Sequence, residues 1–289
     1  MKKLLLLIVT ALAAIALAAC GSDDSKNAEA SKVIKIGVNG ADGAQWPILK
    51  EKLAKEGIEI ELVEFADYTL PNTALAQGEI DLNAFQHISF LASYVEESGN
   101  DLVPIGSTVF APLGVYSEKI KDISDIKKGD KIAIPDDPTN QARALRLLES
   151  AGFIQLADDF GLFGDPSKIT ENRLNLDIIP MVAQQTPHVL PDVTAAIINN
   201  GFAGQAGLSP GEDPIYRELG EDDNVFPYVN IIAARAEDKD NETYRKIVEM
   251  YQAEYIEKAI TEDTKGGQSL VVLTDEQLQT TFEDLKNQK

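Results

Sequence analysis

The chain has 289 residues, 44% of them hydrophobic, enough to bury one large domain or two modest lobes. Its formal net charge of −21 gives a surface that repels phosphate backbones and argues against a nucleic-acid partner. Cys20 is the single cysteine, so no intramolecular disulfide can form.

Lys2 and Lys3 open the chain, an apolar stretch runs from Leu4 to Leu17, and Ala18-Ala19 precedes Cys20. A charged region, a hydrophobic region and a small-residue cleavage site make a secretory signal. A small pair directly before a cysteine is the form of a bacterial lipoprotein signal. Residues 1–19 are then removed and Cys20 carries the lipid, while residues 20–31, polar and without periodicity, serve as a tether. Each buried lipid methylene contributes about 0.8 kcal/mol, so a multiply acylated Cys20 stays on the extracytoplasmic face of the cell membrane. The plainer reading is an uncleaved anchor with an incidental cysteine.

From Val33 to Val38 the chain reads as a strand, followed by a helix with Trp46, Leu49 and Leu53 on one face and its end near Gly57. Ile58, Ile60 and Leu62 alternate with glutamates as a half-wet strand. A short helix from Pro71 to Gln77 stops at Gly78, Ile80–Phe85 is a strand, Ile88–Glu97 a helix and Leu102–Gly106 a strand. This βαβαβ order predicts a mostly parallel sheet covered by helices. After the apolar run from Val109 to Tyr116 the theme restarts, with a strand at Lys131–Pro135, a helix at Pro138–Ser150 closed by Gly152, and strands at Leu174–Ile179 and Ala195–Asn199. Val229–Ala234 is a further strand, and Asn241–Ile260 reads as one long helix with Tyr244, Val248, Tyr251 and Tyr255 on a stripe. The C-terminal helices are expected on the first lobe. Two α/β lobes joined by two crossings leave a cleft, and ligands of such sheets bind beyond the carboxyl ends of the strands.

The strongest local signal is Ile134-Pro135-Asp136-Asp137-Pro138-Thr139-Asn140-Gln141-Ala142-Arg143, a strand turning into a helix. Asp137 suits the N-cap with Pro138 at the first helical position, and Thr139 is a second candidate cap. Free N–H groups at a helix start suit a carboxylate, and Arg143 adds a planar fork for it. A cation near the positive end of the helix dipole is unfavourable by a few tenths of a kcal/mol, a cost that a bound carboxylate offsets. The plainer reading puts Arg143 with Arg146 and Ser150 on a solvated face.

Tyr68, Asn72, Phe85 and His87 lie at or just beyond strand ends, where aromatic walls suit an apolar or thioether side chain. Any of them also serves as plain core. Asn199 ends one strand and Asn230 begins another, inside apolar runs where an amide needs a partner. Both could bond the ammonium and carboxylate of an amino acid, or Asn199 could simply form a turn with Asn200. No cysteine nucleophile is available in the mature chain, and no G-x-S-x-G elbow, H-E-x-x-H motif or Walker A loop occurs, so no catalytic residue is assigned. His87 and His188 have no metal-ligand spacing, and no metal or cofactor is expected.

Between Val33 and Gly267 a series of motifs resembles the methionine-binding lipoprotein family, also called NlpA. They are Phe65-Ala66-Asp67-Tyr68 with Pro71-Asn72, Gly78-Glu79-Ile80-Asp81, Asn83-Ala84-Phe85-Gln86-His87, Pro112-Leu113-Gly114-Val115-Tyr116-Ser117, Ala133 to Asn140, Ala206-Gly207-Leu208-Ser209-Pro210 and Tyr228-Val229-Asn230. The resemblance implies a two-lobed periplasmic-binding-protein-like fold of type II, α/β with two crossovers and an interlobe ligand cleft. It implies a substrate-binding protein that hands methionine to an ABC importer permease. Tyr68, Phe85 and His87 would cage the side chain, and Asn140, Arg143, Asn199 and Asn230 would hold the head group. Lobe 1 is expected at residues 32–110 plus 226–289 and lobe 2 at 111–225.

Two segments depart from the family pattern. Where the family often has Gly-x-His-x-Glu after the first strand, this chain has Asn39-Gly40-Ala41-Asp42-Gly43-Ala44-Gln45-Trp46-Pro47. Where an Arg commonly follows Gln-x-Pro, His188 follows Gln185-Thr186-Pro187. With both segments expected at the cleft, the cargo stays open among free methionine, a methionine dipeptide and another small apolar amino acid. The alternatives from other classes are a secreted lipoprotein enzyme acting on an amino-acid derivative and a surface adhesin.

Overall fold

A computed structural model describes residues 33–220 and 223–288. The signal segment, Cys20 and the tether lie outside the described residues. Among the described residues no helix is long and apolar enough to cross a membrane.

The chain runs β1 (Ile34–Val38), α1 (Gln45–Lys55), β2 (Ile60–Glu64), α2 (Pro71–Ala76), β3 (Leu82–Asn83), α3 (Ile88–Ser98) and β4 (Leu102–Phe110). It continues with β5 (Gly114–Tyr116), β6 (Lys131–Pro135), α4 (Pro138–Ser150), β7 (Ile154–Leu156), β8 (Ile169–Asn172), β9 (Asp177–Met181), β10 (Ala195–Ile198), α5 (Asn200–Gln205) and β11 (Tyr216–Arg217). It ends with β12 (Val229–Arg235), α6 (Glu242–Tyr251), α7 (Glu254–Asp263), β13 (Ser269–Leu270) and α8 (Asp275–Lys286).

Local chemistry sets several of these boundaries. The Asp137 side chain accepts the Asn140 N–H and Pro138 occupies the first turn of α4, so this helix starts where its capping residues require. Asn241 caps α6, and Thr274 and Gln277 make a reciprocal capping box at α8. Gly99 ends α3 at φ 69°, a left-handed conformation that glycine adopts without a Cβ clash.

Among the described residues, six strands form one sheet in the order β13-β4-β12-β3-β1-β2, and five form a second in the order β11-β5-β10-β6-β9. β1 pairs in parallel with β2 and β3, and β6 in parallel with β9 and β10. The first sheet is less parallel than the element order suggests, because β12 returns late in the chain and inserts antiparallel between β3 and β4. Each sheet is covered on both faces. β1 packs through Ile36 and Val38 against Leu49 and Leu53 of α1 and Tyr244 and Ile247 of α6. Across the sheet, Val229 and Ile231 meet Leu91 of α3 and Phe282 of α8. The C-terminal helices therefore do pack on the first sheet. Gly106 makes this close, since a Cβ there would stand 2.2 Å from Val248 Cγ1. In the second sheet, Ile132 and Ile134 pack on Ala144, Leu145 and Leu148 of α4, and Ala133 and Ala196 on Phe202 of α5.

The chain passes between the sheets twice, at 111–113 and between β11 and β12. The two passages touch, as the Glu218 N–H donates to Leu113 O at 3.1 Å.

Several expectations are corrected. The helix expected over Asn241–Ile260 is two helices, broken where Ala253 turns extended (φ −80°, ψ 150°) and Gln252 Nε2 donates to Ser107 O at 2.8 Å. A tertiary bond to β4 here overrides an uninterrupted helical pattern. The strand expected at Leu174–Ile179 begins at Asp177, after Asn175 turns at φ 48°. The expected strand at Ile80–Phe85 pairs as a sheet strand only at Leu82–Asn83. The β7–β8 hairpin and β11 carry no alternation strong enough to announce them.

Candidate functional site

A cavity of about 120 Å³ lies between the two sheets, and all seven expected residues line it: Tyr68, Phe85, His87, Asn140, Arg143, Asn199 and Asn230. Asn72 does not. It is 1% exposed and closes a buried amide cluster with Asn83 and Gln86, of which Gln86 reaches the lining.

The first wall grows from the β3–α3 junction. His87 caps α3, and its Nδ1 accepts the Phe90 N–H at 3.1 Å, with Ser89 Oγ 2.9 Å away. An acceptor at Nδ1 leaves the hydrogen on Nε2, which donates to Asn140 Oδ1 at 3.3 Å. Burial, reinforced by the charge of Arg143, pushes the imidazole down to about 3, so His87 is neutral at physiological pH. Tyr68, between β2 and α2, places its ring 5.9 Å from Phe85 and 6.0 Å from Phe90. Its ring also lies 4.7 Å from Phe202 of α5, so an aromatic contact spans the two sheets' sides. Burial pushes its hydroxyl well above the usual tyrosine range. Asn230 extends the β12 edge to the site by an antiparallel bridge to His87.

The second wall grows from the turn into α4. Asn140 Nδ2 donates to both Asp137 carboxylate oxygens, at 3.0 and 3.1 Å, which turns Asn140 Oδ1 outward to accept from His87 and from Asn199 Nδ2 at 2.8 Å. Burial pushes the Asp137 carboxyl up, against the bonds that pull it down. With Asn199 Nδ2 engaged, Asn199 Oδ1 is a buried acceptor with no hydrogen-bond partner among the described residues. Such an atom costs about 1–3 kcal/mol if nothing meets it.

Arg143 is 3% exposed, which removes the solvated-face reading. The fork expected to meet a carboxylate is taken by a protein one: Nε and Nη2 donate to Glu218 Oε1 and Oε2 at 2.8 and 2.6 Å, and Nη2 also to Ala111 O at 3.0 Å. Tyr228 stacks 4.6 Å from the guanidinium and Phe110 lies 5.7 Å away. Nη1 carries no such bond among the described residues. The free N–H groups expected at the start of α4 are likewise partly used, since Asp137 takes that of Asn140.

Of the two divergent segments, only one borders this cavity. Asn39, Gly40, Gln45 and Trp46 line it, with the Trp46 ring edge-on to Tyr251 at 5.6 Å. His188 lies instead in a separate groove with Ala66, Gln185 and Phe202. A wider hollow of about 460 Å³ continues from the cavity past Asn39, Gly40, Asn200, Gly201 and Gln268. Glu218, Phe90 and Phe202 complete the site's surroundings without a local sequence signal, and Tyr228 joins them from the Tyr228-Val229-Asn230 motif. Among the described residues no group of His, Cys, Asp and Glu could hold a metal ion.

Two α/β lobes, two crossings and a ligand cavity between them define the two-lobed periplasmic-binding-protein class. The chain belongs to the NlpA lipoprotein family, whose model matches residues 34–272. The D-methionine-binding lipoprotein MetQ of Salmonella typhimurium is 40% identical over 260 residues, 89% of this chain and 93% of the relative. Protein PG110 of Staphylococcus aureus has a crystal structure that superposes with a TM-score of 0.85 at 46% identity, covering 87% of this chain and 99% of that one. A nutrient binding protein from Burkholderia cenocepacia, solved bound to methionine, superposes with a TM-score of 0.78 at 40% identity, covering 82% and 99%.

Proposed function

We propose that the protein is the extracytoplasmic solute-binding lipoprotein of an ABC importer, that it captures methionine or a closely related small amino acid or dipeptide, and that it delivers this cargo to the permease. One observation carries the reading. The cavity is aromatic at Tyr68, Phe85 and Phe90, while elsewhere on its lining an orphaned buried acceptor, Asn199 Oδ1, and the Nη1 edge of Arg143 await a donor and an acceptor. A zwitterion with an apolar tail supplies both groups and the tail. Tyr68, Phe85 and His87 then surround the side chain, and Asn140, Arg143, Asn199 and Asn230 hold the head group. The methionine named for the relatives supports the same ligand class.

In this reading residues 32–110 with 226–289 close against 111–225 about the two crossings, no bond is made or broken, and lipid on Cys20 keeps the protein at the membrane. A dipeptide is favoured by one specific feature: the hollow that continues from the cavity runs along the divergent Asn39–Gln45 segment and offers room beyond the head group.

The test is calorimetric. The protein without residues 1–20 is unfolded and refolded to strip carried ligand, then titrated with L-methionine, methionine dipeptides and other amino acids. Sub-micromolar binding of one of them, recovered unaltered, is the expected result. A folded sample that binds none of them, or that converts one, contradicts the proposal.

A further inference from the structure

Arg143 is the one formally charged side chain on the cavity lining among the described residues; amides, aromatics, small aliphatics, Thr108, a neutral His87 and glycines make up the rest. Its charge is already answered. Glu218 takes Nε and Nη2, and the same carboxylate accepts the Leu113 N–H through Oε2 at 2.8 Å, while the Glu218 N–H reaches Leu113 O. The pair is deep, with side chains 3% and 16% exposed. The other nearby carboxylate, Asp137, is held under Asn140 and Thr139 and does not line the cavity. The cavity is thus close to charge-neutral, yet Arg143 keeps a donor, Nη1, with no partner among the described residues.

We infer that Glu218 is a positioning and specificity-determining residue: it fixes the Arg143 guanidinium between the two crossings and cancels its charge, so that the cavity selects a ligand of zero net charge over an anion. This rests on the amino-acid reading above. A buried site that contained an unbalanced guanidinium would draw any small carboxylate, whereas a balanced one holds a carboxylate well only when the ligand brings its own cation. The leftover acceptor, Asn199 Oδ1, is where that cation is met.

The variant is Glu218→Gln, which keeps the shape and removes the charge. Two measurements follow. The first compares L-methionine with its desamino counterpart, 4-(methylsulfanyl)butanoate, smaller and anionic. The Kd ratio of the anion to methionine falls by about tenfold or more in Glu218→Gln relative to wild type. A residue that merely braced the fold would weaken both ligands together, and an unchanged ratio overturns the inference.

The second needs no amino acid. Formate at about 100 mM raises the melting temperature of ligand-free Glu218→Gln by about 3 °C and leaves wild type unmoved. Equal responses, or none in the variant, overturn the inference. Should Glu218→Gln fail to fold, wild type alone decides: stabilisation by formate means that the guanidinium is not balanced. If no amino acid binds wild type, the proposed function fails while the formate comparison still stands or falls by itself.

Discussion

On the β3–α3 side of the cavity the imidazole and the amide cluster are answered within the protein: His87 Nδ1 by the helix it caps, His87 Nε2 by Asn140, and Asn72, Asn83 and Gln86 by one another. On the α4 side the chain of bonds runs from Asp137 through Asn140 to Asn199 and stops at an acceptor with nothing to accept, and the Arg143–Glu218 pair leaves Nη1 over. The first wall therefore supplies shape, through rings held at fixed angles, and the second supplies direction, through the atoms left unpaired. Under the proposed function an apolar tail would meet the one and a head group the other. Buried polar groups are almost always paired, so an unpaired acceptor at the end of a bonded run is a telling feature.

Substitutions on the α4 wall should have the larger effects. Arg143→Ala weakens methionine binding by roughly 1.5–3 kcal/mol, measured by calorimetry, because a charge-assisted bond is lost and Glu218 is left buried alone. Unchanged affinity would remove Arg143 from the site. Asn199→Ala deletes the leftover acceptor, together with the Nδ2 bond to Asn140, and costs about 1 kcal/mol of methionine affinity by calorimetry. Equal affinity in that variant would mean that no ligand donor reaches position 199.

On the aromatic wall, Tyr68→Leu keeps an apolar surface but ends the ring contact with Phe202, and should cost about 0.5–1.5 kcal/mol of methionine affinity beyond the area lost. An effect as large as that of Arg143→Ala would contradict the division of labour between the walls.

A separate effect, on stability and not on affinity, concerns acid. The folded protein holds His87 neutral down to about 3, whereas the unfolded chain protonates it near the ordinary value of 6.5. The stability tied to a neutral His87 is thus fully present above pH 6.5 and is lost as pH falls toward 3. Asp137 works in the other direction, since its raised carboxyl takes up a proton in the folded state before the unfolded chain does at 3.8, and this restores part of the stability at the lower end. Urea denaturation at pH 7 and pH 4.5 should show a smaller drop for His87→Gln than for wild type. Equal drops would mean that the imidazole is not held neutral.

Much of this was legible in the sequence where a single residue has one physical use. Asp137, Pro138 and Gly152 bound α4 as capping chemistry requires, and Lys131–Pro135 reads as the strand that it is. The residues that line the candidate site were legible because they stand at strand ends or in motifs that run on into helices. Glu218 was not: its partner Arg143 is 75 positions away, and the polar stretch around it has no periodicity. The break after Gln252 was hidden for the same reason, since no Gly or Pro marks it and its cause is a carbonyl in β4. His188 lies at a motif departure like that of Asn39–Pro47, yet folding sends it to another groove. Which partner a side chain finds across the fold is not encoded beside it.

The most direct measurement is a crystal structure of the stripped and refolded protein at saturating L-methionine. The amino acid is expected between the two walls, with its carboxylate on Arg143 Nη1, its ammonium on Asn199 Oδ1 and its thioether among Tyr68, Phe85 and Phe90. An empty cavity at saturation, or a ligand whose ammonium and carboxylate touch neither Asn199 nor Arg143, would contradict that expectation.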